Sequence, residues 1–130
     1  MEYVTQQGVE VPKVGLGTWQ MDSGTAYQSV SSALRLGYRH IDTAQLYENE
    51  SAVGDAIADA EVDRSELFVT TKVDPTNRSV GDILASARES VEKLGVDRVD
   101  LLLIHWPHPL ADTGTVMDGL NECVRQDLTR

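Results

Sequence analysis

Asp100-Leu101-Leu102-Leu103-Ile104-His105 is apolar at every internal position and closed at both ends by ionisable side chains. A strand covered on both faces reads this way, because neither of its alternating sets of side chains meets water. Three more short strand-like runs precede it: Val14 to Leu16, Arg39 to Asp42 and Leu67 to Val73. All four are followed by a helical pattern. Strand starts recur about every 25 to 33 residues, the rhythm of a repeated strand-helix unit, and parallel pairing follows.

The helices carry their own boundary signals. Thr25 to Leu36 places Ala26, Val30, Ala33 and Leu34 on one stripe, with Gly37 as its stop. Glu50 to Ala60 puts Val53, Ala56, Ile57 and Ala60 at helical spacing. Ser79 with Asp82 forms a capping box for a helix striped by Val80, Ile83, Leu84, Ala87, Val91 and Leu94 and ended by Gly95. A fourth helix is expected from near Thr115, again with an acid three residues on at Asp118, toward Leu128. Ahead of the first unit, Tyr3-Val4-Thr5 and Val9-Glu10-Val11 read as a hairpin turned by Gln6-Gln7-Gly8.

Two parallel α/β folds compete for this pattern. Gly15 and Gly17 lack the third glycine and the helix start of a dinucleotide fingerprint, so the doubly wound fold loses weight. The (β/α)8 TIM-barrel type gains it. A closed barrel takes eight units and ~250 residues, whereas residues 1–130 supply four. The expectation is one truncated domain, a half-barrel whose outer strands leave backbone groups unpaired and which can self-associate to complete the barrel.

Composition narrows the function. With 41% hydrophobic and 25% charged residues the chain is neither disordered nor membranous. No apolar run approaches the ~18 residues of a membrane span, and Met1-Glu2-Tyr3 does not open a secretory signal. A lone Cys123 forms no internal disulfide, which fits the cytoplasm. A net charge of -10 argues against nucleic acid and anionic membranes as partners and points to small-molecule chemistry.

Catalytic side chains of a parallel barrel sit where strands end. Asp42 closes the second barrel strand and Tyr47 lies in the loop after it, Lys72 is near the end of the third and His105 closes the fourth. Alternation turns Asp42, Lys72 and His105 toward one mouth. A phenol is a weak acid at neutral pH. Lys72 beside Tyr47 favours the phenolate, Asp42 offsets the burial of the ammonium, and His105 donates a hydrogen bond to a substrate oxygen. Such a group protonates a carbonyl. Reduction also needs a hydride, which no side chain provides, so a nicotinamide cofactor is implied.

The stretches Gly15-Leu16-Gly17-Thr18-Trp19, Gly37-Tyr38-Arg39-His40-Ile41-Asp42-Thr43-Ala44, Tyr47-Glu48-Asn49-Glu50 and Leu94-Gly95-Val96-Asp97, running into Leu103-Ile104-His105-Trp106-Pro107, resemble the aldo-keto reductase family. The resemblance implies a tetrad of Asp42, Tyr47, Lys72 and His105, with Tyr47 as general acid in reduction and general base in oxidation. It also implies that Gly17, Thr18, Trp19 and Asp42 flank the cofactor, and that Trp19 and Trp106 wall the carbonyl pocket with Tyr47 and His105. NADPH is the implied cofactor, with NADH second, and a small aldehyde or ketone the substrate. Family members continue into four more strands that hold the rest of the cofactor. An inactive fragment, or a nucleotide-sensing or scaffold subunit of the same fold, therefore stands beside the reductase reading.

His40 reads as a buried, hydrogen-bonded histidine. The three histidines lie near no thiol or carboxylate cluster at ligand spacing, so no metal is expected.

Overall fold

The computed structural model describes residues 1–130. A hairpin, β1 (Tyr3–Gln6) and β2 (Val9–Pro12), precedes four strand-helix units. These are β3 (Leu16–Gly17) with α1 (Ser23–Arg35), β4 (His40–Asp42) with α2 (Glu50–Ala58), β5 (Phe68–Val73) with α3 (Val80–Leu94), and β6 (Leu101–Ile104) with α4 (Thr113–Arg125). The four later strands form one sheet in chain order, parallel throughout. That is the arrangement of the first half of a (β/α)8 barrel.

The hairpin is tighter than expected. Gln6 belongs to the strand and pairs with Val9, leaving Gln7 and Gly8, with φ of 50° and 81°, as a two-residue turn. Positive φ at both central positions gives the turn whose twist matches the flanking strands.

Helix boundaries follow side-chain caps. Ser79 accepts the Asp82 N–H at 3.0 Å and Gly95 ends α3 in the left-handed region, as expected. The start of α4 needs correction. It begins at Thr113, not near Thr115, because the Asp112 carboxylate accepts both the N–H and the hydroxyl of Thr115, at 2.8 and 2.9 Å. A carboxylate that takes two donors of the first turn outcompetes a threonine already inside it. β3 is also shifted, since only Leu16 and Gly17 reach β4 while Val14 stands exposed.

The helices cover one face of the sheet only. Ile41, Val69, Val73 and Leu102 point into a core shared with Val30, Val53, Ile83 and Leu94. Leu101 and Leu103 lie on the opposite face, 37% and 38% exposed. Burial of β6 on both faces is thus not observed. Helices form the outer ring of such a fold, and the other face belongs to a barrel interior that four strands do not close.

α2 meets the C-terminal end of α3 at Gly54, where an added Cβ would stand 2.6 Å from the Leu94 carbonyl oxygen. The obstacle is backbone, so it cannot rotate away. Gly54→Ala is expected to cost about 1–3 kcal/mol of stability, and urea unfolding measures it. An unchanged midpoint would show that the helices can slide apart freely.

The N-terminal ends of the strands are tied by Asp100. Its carboxylate accepts from Arg64 at 2.7 Å and from the Val69 N–H at 2.9 Å and forms an ion pair with Arg130 at 3.2 Å, while Arg64 also donates to the Leu67 and Arg98 carbonyls. No helix is long and apolar enough to cross a membrane.

Candidate active site

At the C-terminal ends of the strands, register decides which side chains meet. Asp42 pairs with Gly17 and Thr70, and Lys72 pairs with Leu103, so Asp42, Lys72 and His105 share the concave face. Tyr47 closes a single 3-10 turn, Gln45–Tyr47, and the chain reverses at Glu48 with φ of 56°. A non-glycine residue in that region is a local cost that surrounding contacts must hold in place.

Lys72 is the hub. Its ammonium donates to the Asp42 carboxylate, to the Thr43 carbonyl at 3.0 Å and to the Tyr47 hydroxyl at 3.5 Å. The Tyr47 ring meets His105 edge-on, centroids 5.5 Å apart, and His105 lies 4.6 Å from the Trp106 ring. All four predicted tetrad residues come together, with a phenol, an ammonium and an imidazole at one place.

His105 Nδ1 is buried without a hydrogen-bond partner. Burial, and next the nearby Lys72 ammonium, hold its pKa below the ordinary histidine range, against a smaller opposing pull from Asp42 and Asp74. The unfolded chain therefore takes up a proton that the folded chain refuses. This histidine costs no stability above about pH 6.5 and lowers stability progressively as pH falls below that value. An NMR titration is expected to place its midpoint under about 6.5; a midpoint above it would contradict the desolvated setting.

Thr18 is fully buried, its hydroxyl 2.9 Å from that of Thr43. Trp19 beside it is 67% exposed at the rim and Trp106 is 52% exposed across the mouth. His40 is half-buried between the Pro12 carbonyl at 3.3 Å and the Thr70 hydroxyl at 3.0 Å, the structural role expected of it. Cys123 is buried, and burial pushes its thiol pKa up.

Three supporting residues carried no role in the sequence reading. Asn49 is buried and bonded on both amide atoms. Glu50 is buried, accepting from Thr71 at 2.7 Å and Ser90 at 3.3 Å, and burial raises its pKa. Gln45 donates to Ser90 at 3.0 Å and accepts the Asp74 N–H at 2.7 Å, tying the Tyr47 turn to the loop after β5. One signal was available. Glu50 lies on the same stripe as Val53 and Ile57, so it had to face the core.

The donor set fits the reacting end of a nicotinamide cofactor and a carbonyl. A Cβ built on Gly17 would meet open space, and Gly17 pairs with Asp42, so a ligand can approach the backbone there. Gly17, Trp19, Asp42, Tyr47, Lys72, His105 and Trp106 offer nothing comparable for a dinucleotide's phosphates, since Lys72, their one cation, is engaged by Asp42.

Residues 13–130 match the model of the aldo/keto reductase family. A methylglyoxal reductase, DkgB, of Salmonella typhi is 48% identical over 123 residues, covering 92% of this chain and 46% of that protein. The solved structure of a provisionally assigned 2,5-diketo-D-gluconic acid reductase B superposes with a TM-score of 0.95 at 39% identity, over 100% of this chain and 46% of the other. A Bombyx mori aldo-keto reductase in complex with NADP superposes at 0.89 with 33% identity, over 99% and 48%. The chain belongs to the aldo-keto reductase family, and it spans about half the length of the relatives it matches.

Proposed function

We propose that this chain carries the proton-transfer site of an NADPH-dependent reductase of small aldehydes and ketones, with Tyr47 as general acid. The observation that carries this reading is the Lys72 ammonium held between the Asp42 carboxylate and the Tyr47 hydroxyl, with His105 against the Tyr47 ring. A reduced nicotinamide, when bound, supplies the hydride to the carbonyl carbon. The chain's own residues do the rest. His105, kept neutral, can donate to the carbonyl oxygen and fix its direction. Tyr47 gives that oxygen its proton, and Lys72 stabilises the phenolate left behind. Asp42 keeps the ammonium in place, and its exposed side is available to a ribose hydroxyl. Trp19 and Trp106 stand at opposite rims as walls for the organic part of the substrate.

The choice of NADPH rests on the family and on the NADP complex of the silkworm relative. Methylglyoxal reductase as a relative's activity supports a small carbonyl substrate. A cytoplasmic setting is consistent with one buried, unpaired cysteine. Where the chain works unaided, the exposed Leu101 and Leu103 favour association of two copies through the concave faces, which light scattering detects.

The test is carbonyl-dependent NADPH oxidation by the purified protein. Lys72→Met, of similar length but uncharged, is expected to lower turnover at least about 10²-fold with the fold retained. Undiminished turnover in that variant would remove Lys72 from the mechanism. No turnover from well-folded protein favours the fragment or scaffold reading.

A further inference from the structure

The residue pair Trp19-Gln20 forms an exposed rim segment, and Gln20 sits at φ of 58°, a conformation that non-glycine residues adopt only when held. A main-chain bond from the Met21 N–H to the Thr18 carbonyl, at 3.3 Å, closes a turn around the pair. A side-chain tie to both ends of that turn comes from Asn49, two residues beyond Tyr47. Its side-chain N–H2 donates to the Thr18 carbonyl at 2.8 Å and to the Met21 carbonyl at 3.1 Å, the residues on either side of the pair. Its carbonyl oxygen accepts the Thr43 hydroxyl at 2.9 Å and the Thr18 hydroxyl at 3.3 Å. Thr43 is in turn the residue whose main-chain carbonyl receives the Lys72 ammonium. All four bonds are made by a side chain 2% exposed, so none is traded with water.

We infer that Asn49 is a positioning residue that latches the Trp19 rim to the strand end carrying the proton donor, so that the pocket wall and Tyr47 keep one fixed relation. Its two ends divide the work. The amide N–H2 holds the rim, and the amide oxygen holds the Thr43 end. Asn49→Asp separates these, because a carboxylate keeps both acceptors for the two hydroxyls but loses the donors and turns an oxygen toward two carbonyls.

This inference rests on the reading of Trp19 as a pocket wall, and its test needs no turnover. The chain contains two tryptophans, so 5-fluorotryptophan labelling gives two fluorine signals, assigned through Trp19→Phe. In the unsubstituted chain the Trp19 signal is expected to relax as a rigid group despite its exposure. In Asn49→Asp it should shift and sharpen while the Trp106 signal, on the far rim, stays in place. Thr18→Val, which removes a hydroxyl but leaves both carbonyls on the amide, is expected to leave the Trp19 signal rigid. A sharp, freely moving Trp19 signal in the unsubstituted chain overturns the latch whether or not the variants fold. So does an unmoved Trp19 signal in folded Asn49→Asp, or equal changes at both tryptophans. A chain that oxidises no NADPH yet shows the selective Trp19 response loses the reductase reading and keeps the latch.

Discussion

Tyr47→Phe is expected to lower carbonyl turnover by about 10²- to 10⁴-fold, the share a positioned proton donor contributes. The substitution removes one oxygen and keeps the ring, so the edge-on contact with His105 survives. Lys72 loses its longest contact, at 3.5 Å, and keeps those to Asp42 and Thr43. Thermal unfolding should therefore be nearly unchanged while the rate collapses. Binding of reduced cofactor, followed by quenching of protein fluorescence, should also persist. Retention of more than about a tenth of the rate would mean that another group delivers the proton, given the size of the general-acid contribution.

The largest stability effect is expected at Asp100→Ala. The carboxylate is 2% exposed, accepts from Arg64 and a strand N–H, and pairs with the Arg130 guanidinium. Its removal leaves the Val69 N–H buried beside an uncompensated guanidinium. Breaking a buried pair by deleting one partner typically costs about 3–5 kcal/mol. Both arginines keep partial access to water, 31% and 41% of their side chains, so about 3 kcal/mol is the expected loss. Chemical denaturation is the measurement. A change under about 1 kcal/mol would place Asp100 with ordinary surface ion pairs.

The sequence disclosed the fold through periodicity. Ala26, Val30, Ala33 and Leu34 are buried together, and Gly95 stops α3 where the stripe ends. The meeting of Asp42, Lys72 and His105 on one face was legible because strand ends are short in sequence and alternation fixes direction, so it needed no long-range information. What stayed hidden depends on pairing across the fold. Leu101-Leu102-Leu103-Ile104 taken alone implies a buried β6, but coverage of a strand is decided by its neighbours, and only Leu102 of the four is buried. The Asp112 cap of α4 lost to a threonine because spacing does not reveal which oxygen reaches the free N–H groups. The bonding of Asn49 and Asp100 had no local signal. Their partners lie 28 to 31 residues away for Asn49's main-chain acceptors and 30 to 36 for Asp100.

The ties at Asp100 and the tetrad lie at opposite ends of the same strands. Along β5 the tie at Val69 and the ammonium-bearing Lys72 are three residues apart, roughly 10 Å at the usual rise of a strand. Changes at the two ends share no partner, so their free-energy effects should add. Variation in the mouth loops, around Trp19, Tyr47 and Trp106, is then expected not to draw on the interactions that keep the strands together. The architecture gives the mouth room to drift while the folded state stays anchored from beneath.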